Sequence, residues 1–442
     1  MKITEGAKSI LKKLKSSGYE AYVVGGAVRN SLLGKPYADY DFTTSATPEE
    51  ILGVFCDCNT FAPGIKHGTV CVEIDGEVYE ITSFRSDGEY ADSRHPSSVS
   101  FVRSLDEDLC RRDFTVNAMC FDGERIIDKL GGREDCRDKI IRAIGDPIRR
   151  FEEDALRILR ALRFASKLSF KIEENTKRAI FARKRLLNNI SAERIAAELS
   201  EILLGESCEE VLLEYAEIIC EVIPELAPCI GFDQKNRYHA FDVYGHSVRA
   251  VGHTPPVLEL RLAALLHDIG KPSTFRMGED GQGHFYGHAR VSGEIANSVL
   301  LRLKLRAAVR EEVVRLVAFH DYPIVPPESH DDDKYLLRSL NKFGEKTLFR
   351  ILDIKRADNL SKAPFTAARI AEIDALSDRL RALLEKKPCF DISSLAVNGR
   401  DMTALGFKGR EVGERLEMLL SAVIEGRIEN DREKLIEYVK TT

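Results

Sequence analysis

Apolar and polar positions follow two different rhythms along this chain. Near the start, Ile10, Leu11 and Leu14 recur at helical spacing and predict one face of a short amphipathic helix. Residues 21–24 are a short apolar run ending at Gly25 and Gly26, followed by a helix-compatible segment. The β-rich runs 69–74 and 78–84 flank Asp75-Gly76, which predicts a hairpin. From about residue 146 the period turns helical, with helices expected over 151–165, 192–204, 209–219 and 258–267. The change puts a boundary near Ile140. Turn-rich residues 224–236 and the region of Pro388 predict two further joints. The pattern is that of an α+β fold, a head with a small mixed β-sheet followed by all-helical segments. It contains no internal repeat and no low-complexity tract.

Composition narrows the class. A chain of 442 residues exceeds one ordinary domain, and 44% hydrophobic with 31% charged residues is the mix of a soluble globular protein. No apolar run is long enough to span a bilayer, and the N-terminus lacks a signal-peptide core, so no membrane partner is expected. The ten cysteines include no C-x-x-C pair, which points to reduced thiols in a cytoplasm and away from a cysteine zinc site. The net charge of −6 hides an asymmetry: residues 139–188 carry 14 Lys and Arg against 6 Asp and Glu. That local excess suits a confined phosphate-binding surface, with a solvated helical face as the plainer alternative.

Residues 23–47, VVGGAVRNSLLGKPYADYDFTTSAT, hold the most informative chemistry. A strand, the Gly25-Gly26 turn and a helix start bring backbone N–H groups close to an anion, to which Arg29 adds a fork of donors. Asp39 and Asp41, two apart on an expected strand, point to one face and can hold the same pair of metal ions. Two Mg²⁺ ions about 4 Å apart activate an attacking hydroxyl and neutralise a leaving pyrophosphate. Without a cation the two carboxylates repel.

From these residues onward the chain resembles the class II tRNA nucleotidyltransferases, which comprise the bacterial CCA-adding enzymes and the related bacterial poly(A) polymerases. The likeness continues through EITSFR (80–85), YADSRHP (90–96), DLCRRDFTVNAM (108–119), DKLGGREDCRDKIIRAIGDP (128–147) and EEDALRILRALRFA (152–165). It implies catalytic metals on Asp39 and Asp41, and nucleotide contacts from Gly25, Gly26, Arg29, Arg112, Asp113 and Asn117. Arg112 and Asp113 would contact the ribose, where the 2′-OH marks a ribonucleotide. Glu80 is a candidate third carboxylate. One departure is Asn30, where the family usually has Asp. The implied partners are tRNA, CTP and ATP, with the oligomeric state left open. The implied layout is a catalytic head at 1–140, a helical neck at 141–230, an HD-type body at 231–365 and a tRNA-binding tail at 366–442. Within the tail, residues 397–416 resemble the segment that grips the tRNA elbow.

Asp154 and Arg157, i and i+3 on an expected helix, would share a face. A carboxylate only accepts hydrogen bonds and a guanidinium only donates them. Cytosine and adenine both offer an amino donor beside a ring-nitrogen acceptor, whereas uracil and guanine offer the reverse. The pair therefore selects C and A, and the family's base-reading motif falls on these positions. Arg160 and Arg163 extend the basic face towards triphosphate or tRNA.

A second constellation is His246, His267-Asp268, His288, His320 and Asp358. It resembles an HD-type phosphohydrolase domain, which implies a divalent transition metal on His246, His267, Asp268 and Asp358. His288 and His320 would hold the substrate phosphate or a second metal. His239, His253, His284 and His330 read as structural. The competing functions are an A-only adding enzyme or a poly(A) polymerase, and, in another class, a phosphohydrolase or RNA-binding protein with an inactive head. An enzyme adding only CC would lack the loop that YADSRHP resembles.

Overall fold

Helix α1 (Glu5–Ser16) starts where the Thr4 hydroxyl accepts a hydrogen bond from the Ala7 N–H, with Glu5 at its positive end and Lys13 and Lys15 at its negative end. Its Ile10, Leu11 and Leu14 are buried, as the apolar spacing predicts. The computed structural model describes residues 1–87, 99–325, 332–364 and 367–442, which divide into two units, Met1–Pro224 and Glu225–Thr442. The YADSRHP segment and His330 lie outside the described residues.

In the first unit β1 (Ala21–Val24) leads through Gly25 into α2 (Gly26–Leu32), and β2 (Asp41–Thr44) follows. After α3 (Pro48–Val54) come β3 (Asn59–Gly64), β4 (Thr69–Ile74) and β5 (Glu77–Ser83). The expected hairpin joins β4 to β5. Asp75 and Gly76 both take positive φ, 54° and 81°, and Ile74 pairs with Glu77, the geometry of a two-residue primed turn. A ribbon of β6 (Arg85–Asp87) and β7 (Val99–Phe101) precedes α4 (Leu105–Cys110), β8 (Cys120–Phe121), β9 (Ile126–Ile127) and α5 (Gly132–Asp138). The mixed sheet runs β3-β4-β5-β2-β1-β8-β9. Only β2 and β5 are parallel in it, and their register sets Asp41 beside Glu80.

Short β10 (Ile140–Ile141) and β11 (Lys171–Ile172) bracket α6 (Pro147–Glu153) and α7 (Leu156–Leu168). Next come α8 (Glu174–Arg183), α9 (Ala192–Leu203), α10 (Cys208–Glu214) and α11 (Ala216–Val222). Two expected helices are each broken in two. At 151–165 the break falls on Asp154, whose backbone is extended (φ −140°, ψ 103°) and whose carboxylate accepts from the Leu156 N–H at 3.1 Å. An aspartate that hydrogen-bonds the backbone two residues ahead competes with the helix it interrupts. At 209–219 the break is Tyr215, buried and stacked on Phe181.

The second unit is helical. Helices α12 (Val243–Gly252), α13 (Leu258–Leu266) and the short α14 (Lys271–Thr274) lead to a small ribbon, β12 (Arg276–Met277) and β13 (Gly283–His284). Then follow α15 (His288–Arg302), α16 (Ala307–Phe319), α17 (Asp332–Phe343), α18 (Glu345–Leu360) and α19 (Ala367–Glu385). Helix α13, apolar almost all round, packs against α12, α16 and α18. The last segment folds α20 (Gly399–Ala404), α21 (Arg410–Ile424) and α22 (Arg432–Thr441) around Val397, Met402, Leu419 and Leu435. Among the described residues no helix is long and apolar enough to cross a membrane.

Candidate functional site

The turn after β1 depends on glycine. Gly25 has φ 75° and ψ −131°, a conformation that a side chain strains, and a Cβ there would lie 3.7 Å from the Asp41 carboxylate. Strand β2 opens with Asp41, which is accessible, while Tyr40 before it is buried. Asp39 does not lie in a strand as expected; it sits exposed in the loop just ahead of β2. Its charge nonetheless acts on Asp41. Burial of its carboxyl, then the charges of Asp39 and Glu80, push Asp41 above its ordinary pKa, with only Arg112 opposing. Neighbouring carboxylates that raise the cost of ionising Asp41 make this a place that a divalent cation would stabilise.

Beside Asp41 opens a cavity of 550 Å³, lined by eight arginines and only three aspartates. Of the residues expected to bind nucleotide, Gly25, Gly26, Arg29, Arg112, Asp113, Asn117, Asp154, Arg157, Arg160 and Arg163 all face it. Asp39 is not among its lining residues. The arginines are held in place. Arg29 is buried, donates to Asn117 Oδ1, and is gripped by Asn30 Oδ1 at 3.0 and 3.2 Å. Asn30 thus keeps both hydrogen bonds an aspartate would make while contributing no charge. Phe164 carries three guanidiniums over its ring, those of Arg163, Arg29 and Arg160 at 4.6, 5.2 and 5.5 Å.

Asp113 accepts from the Phe114 N–H and Asn117 on one oxygen and from Arg160 Nε and Nη2, at 2.8 and 2.6 Å, on the other. Burial works against its charge, but Arg160 and these donors outweigh it and hold the carboxyl below the ordinary value. The Asn117 turn itself is clamped by α5. A Cβ on Gly132 would come within 2.4 Å of the Thr115 carbonyl, so this approach needs glycine.

Asp154 and Arg157 reach the cavity by a different route from the one expected. They do not share one helix face, since Asp154 sits in the break between α6 and α7. They do not pair with each other either. Arg194 Nη2 holds Asp154 at 3.2 Å, while Arg157 donates to Glu153 at 2.8 Å and to the carbonyls of Arg150 and Arg111. Each is fixed by its own partners, and both line the same cavity.

Two contributors escape a reading of the sequence. Asp108 is fully buried beneath the cavity, where it accepts from Arg111, from Arg112 at 3.0 Å and from Thr43 of β2 at 3.1 Å. It ties the strand of Asp41 to the arginine pair. The signal in the sequence was its spacing, i,i+3 to Arg111 and i,i+4 to Arg112. Arg194, in the first turn of α9, had none. Arg163, expected near phosphate or tRNA, pairs with the buried Glu198 at 3.2 Å.

In the second unit the other constellation converges. His246 Nε2 lies 2.9 Å from Asp358 and 3.5 Å from Asp268, and His267 Nε2 lies 3.2 Å from Asp268. His288 Nε2 lies 3.3 Å from the other Asp268 oxygen and 3.2 Å from His320 Nε2. All four rings turn Nδ1 to a backbone carbonyl, those of Ser361, Ala264, Phe285 and Val317. A carbonyl only accepts, so Nδ1 carries a proton, which leaves Nε2 as the atom each ring would offer to a metal. Burial keeps His246 and His320 below the ordinary value, the latter near 4. Burial also opposes charge on His267, yet Asp268 and Asp358 raise it to about 10, a measure of how negative the centre is. His267 Nε2 is buried without a hydrogen-bond partner. The donor set fits a divalent cation of intermediate softness.

Five further residues join this site. Asp321 lies 3.2 Å from His288, and Lys271 and Lys362 pair with Asp268 and Asp358 at 2.6 and 2.5 Å. His239, expected to be structural, lines the same cavity, and burial lowers it to about 2. His284 also lines it, bonded to Asp280, whereas His253 caps α12 away from it.

The poly A polymerase head domain model matches residues 21–142, the "Probable RNA and SrmB- binding site of polymerase A" model 169–230, and the HD domain model 237–363. The chain is 34% identical to the CCA-adding enzyme of Lactobacillus helveticus and 35% identical to that of Geobacillus stearothermophilus. Each alignment covers 98% of this chain and 96% of the relative. Among solved structures it resembles the Bacillus stearothermophilus CCA-adding enzyme in complex with CTP, with a TM-score of 0.73 and 31% identity, over 98% of this chain and 96% of that one.

Proposed function

The chain belongs to the CCA-adding enzymes, and from that premise we propose that it builds and repairs the 3′-terminal CCA of tRNA from CTP and ATP without a nucleic-acid template. The observation that carries this reading is the single arginine-walled cavity in which Asp41, Asp154 and Arg157 meet. Asp39 and Asp41 are the residues to hold Mg²⁺, which when bound activates the tRNA 3′-hydroxyl and neutralises the departing pyrophosphate. Arg29, Arg160 and Arg163, bunched around Phe164, give the triphosphate a preformed cationic wall. Arg112 and Asp113, which line the same cavity, are the residues to contact the ribose. Asp154 accepts the exocyclic amino hydrogen of C or A, and Arg157 donates to the adjacent ring nitrogen. Uracil or guanine would set carbonyl against carboxylate and N–H against guanidinium.

Likeness along the whole length to CCA-adding enzymes favours this reading over an A-only enzyme or a poly(A) polymerase. The division of labour we propose is a catalytic head at 1–140, a base-reading neck at 141–230, an HD-type body at 231–365 and a tRNA-gripping tail at 366–442. We place the reaction in the cytoplasm, where thiols stay reduced. The test is incubation with tRNA ending before CC, before A, or complete, with each labelled NTP alone. C should enter only the first substrate and A only the second. U or G incorporation, or A tails on the complete tRNA, would overturn the reading.

A second activity rests on the other cluster. His246, His267, Asp268 and Asp358 would hold a divalent transition metal that supplies a nucleophilic water, and His288 and His320 face the same space. Lys271 and Lys362 at the cavity wall favour an anionic ester. Metal analysis, with phosphoester hydrolysis in Mg²⁺, Mn²⁺, Ni²⁺ or Co²⁺, decides it. A wild-type protein that binds none of these and cleaves no ester makes this body scaffold only.

A further inference from the structure

The mouth of the second cavity carries a feature its metal cluster does not use. Tyr286 is 75% exposed, the most accessible of the large hydrophobic side chains among the described residues. Its ring lies flat on His284, with centroids 5.5 Å apart and planes within 2°. Both rings line the 390 Å³ cavity that also contains Asp268, Lys271, His288 and Lys362. A planar ligand that stacks on this exposed ring at the rim of a polar cavity would take its face out of water.

The platform is braced. His284 ends β13 and is held by Asp280 at 3.3 Å. Phe285, between the two rings, packs edge-on against Phe232 and at a tilt against Phe275. Gly287, at φ 74°, then turns the chain into α15, whose first residue is His288. Tyr286 and His288 are two residues apart, about 7 Å at full extension. One small ligand therefore reaches both the exposed ring and the histidine beside Asp268.

We infer that His284 and Tyr286 form a base-stacking subsite, so that the second cavity takes a nucleotide phosphate ester, its base on Tyr286 and its phosphate at the histidine–aspartate cluster. The inference rests on the reading of that cluster as a metal-dependent phosphohydrolase centre. Hydrolysis needs only water: its oxygen bonds to phosphorus, the ester P–O bond breaks, and the sugar oxygen takes up the proton. Stacking of a base on an aromatic side chain changes affinity by about 5- to 150-fold.

The test compares adenosine 5′-monophosphate with ribose 5-phosphate, the same ester without its base. With tyrosine rings labelled by ¹³C, the Tyr286 signal is the one missing in Tyr286→Phe. It should move on addition of the nucleotide and stay still with the sugar phosphate. In hydrolysis assays with added metal, Tyr286→Ala should raise KM for the nucleotide 5- to 150-fold at nearly constant kcat, leaving KM for ribose 5-phosphate unchanged. Tyr286→Phe should keep the wild-type KM. A Tyr286 signal unmoved by millimolar nucleotide, or an equal KM increase for both esters, overturns the subsite. A signal that moves while no ester is hydrolysed with any metal keeps the platform and removes the phosphohydrolase reading.

Discussion

Replacing Asp154 by alanine should relax base choice more than it weakens triphosphate binding. The carboxylate is only 20% exposed and is fixed by the Leu156 N–H at 3.1 Å and Arg194 at 3.2 Å. It meets a base edge already desolvated and oriented. A wrong base leaves a polar group on each side without a partner, at about 1–3 kcal/mol each. Removing one of the two protein groups should therefore lower the preference for CTP over UTP by about 5- to 150-fold. Because the triphosphate wall is built from other side chains, KM for CTP should rise far less. Alanine also deletes the hydrogen bond that starts α7, costing stability of about 0.5–2 kcal/mol. Asp154→Ser can restore that bond without the carboxylate, and so separates the two effects. The assay is kcat/KM for each of the four NTPs on tRNA lacking CCA. If Asp154→Ala and Asp154→Ser both keep the wild-type CTP/UTP ratio, the carboxylate does not read the base.

Three further outcomes follow from the geometry. Asp41→Asn should reduce incorporation below about a hundredth of wild type. Its Tm at pH 7 should be unchanged or raised, because burial and neighbouring carboxylates already disfavour the charge it loses; residual activity above that level refutes the role. Asp113→Asn breaks a buried pair in which Arg160 is 32% exposed, so a cost of about 2–3 kcal/mol is expected, a Tm decrease of about 4–12 °C in a unit of this size. The folded-state pKa of Asp113 is depressed, so its contribution is present above the unfolded value and lost as pH falls. Melting curves of variant and wild type should accordingly differ at pH 5–8 and draw together as pH falls below about 4; a gap that does not narrow on acidification contradicts the charge argument. His267→Ala should abolish metal binding and ester hydrolysis by the second unit while CCA addition persists, and parallel loss of both activities would show that the sites are not independent.

Much of the fold was legible because local chemistry decided it. The hairpin at Asp75-Gly76, the Gly25 turn and the helix around Ile10 and Leu14 each follow from backbone freedom or apolar spacing within a few residues. Four of the six motifs carry residues to the cavity: Gly25 to Asp41, Arg85, Arg111 to Asn117, and Asp154 to Phe164. What stayed hidden depended on partners far along the chain. Asp154 breaks its helix where Arg194, 40 residues later, holds its carboxylate. Asp108 reads as one acid among three in LDEDLC until Thr43 and both arginines are seen to converge on it. Lys271 and Lys362 were accessible to inspection, at i+3 and i+4 from the aspartates they pair with. His239 was not, since only the fold sets its ring 4.9 Å from that of His246.

The central claim is that Asp154 recognises the exocyclic amino group of the incoming base. The most direct measurement deletes that group from the substrate as well as the carboxylate from the protein. A cytidine triphosphate analogue carrying hydrogen in place of the 4-amino group is added to tRNA lacking CCA by wild type and by Asp154→Ala. Four kcat/KM values close the cycle. If the two groups meet in the transition state, loss of the amino group should cost wild type about 5- to 150-fold and cost Asp154→Ala almost nothing. Equal losses in both proteins, giving strictly additive effects, would mean that the amino group is read elsewhere and that the pocket does not select its base through Asp154.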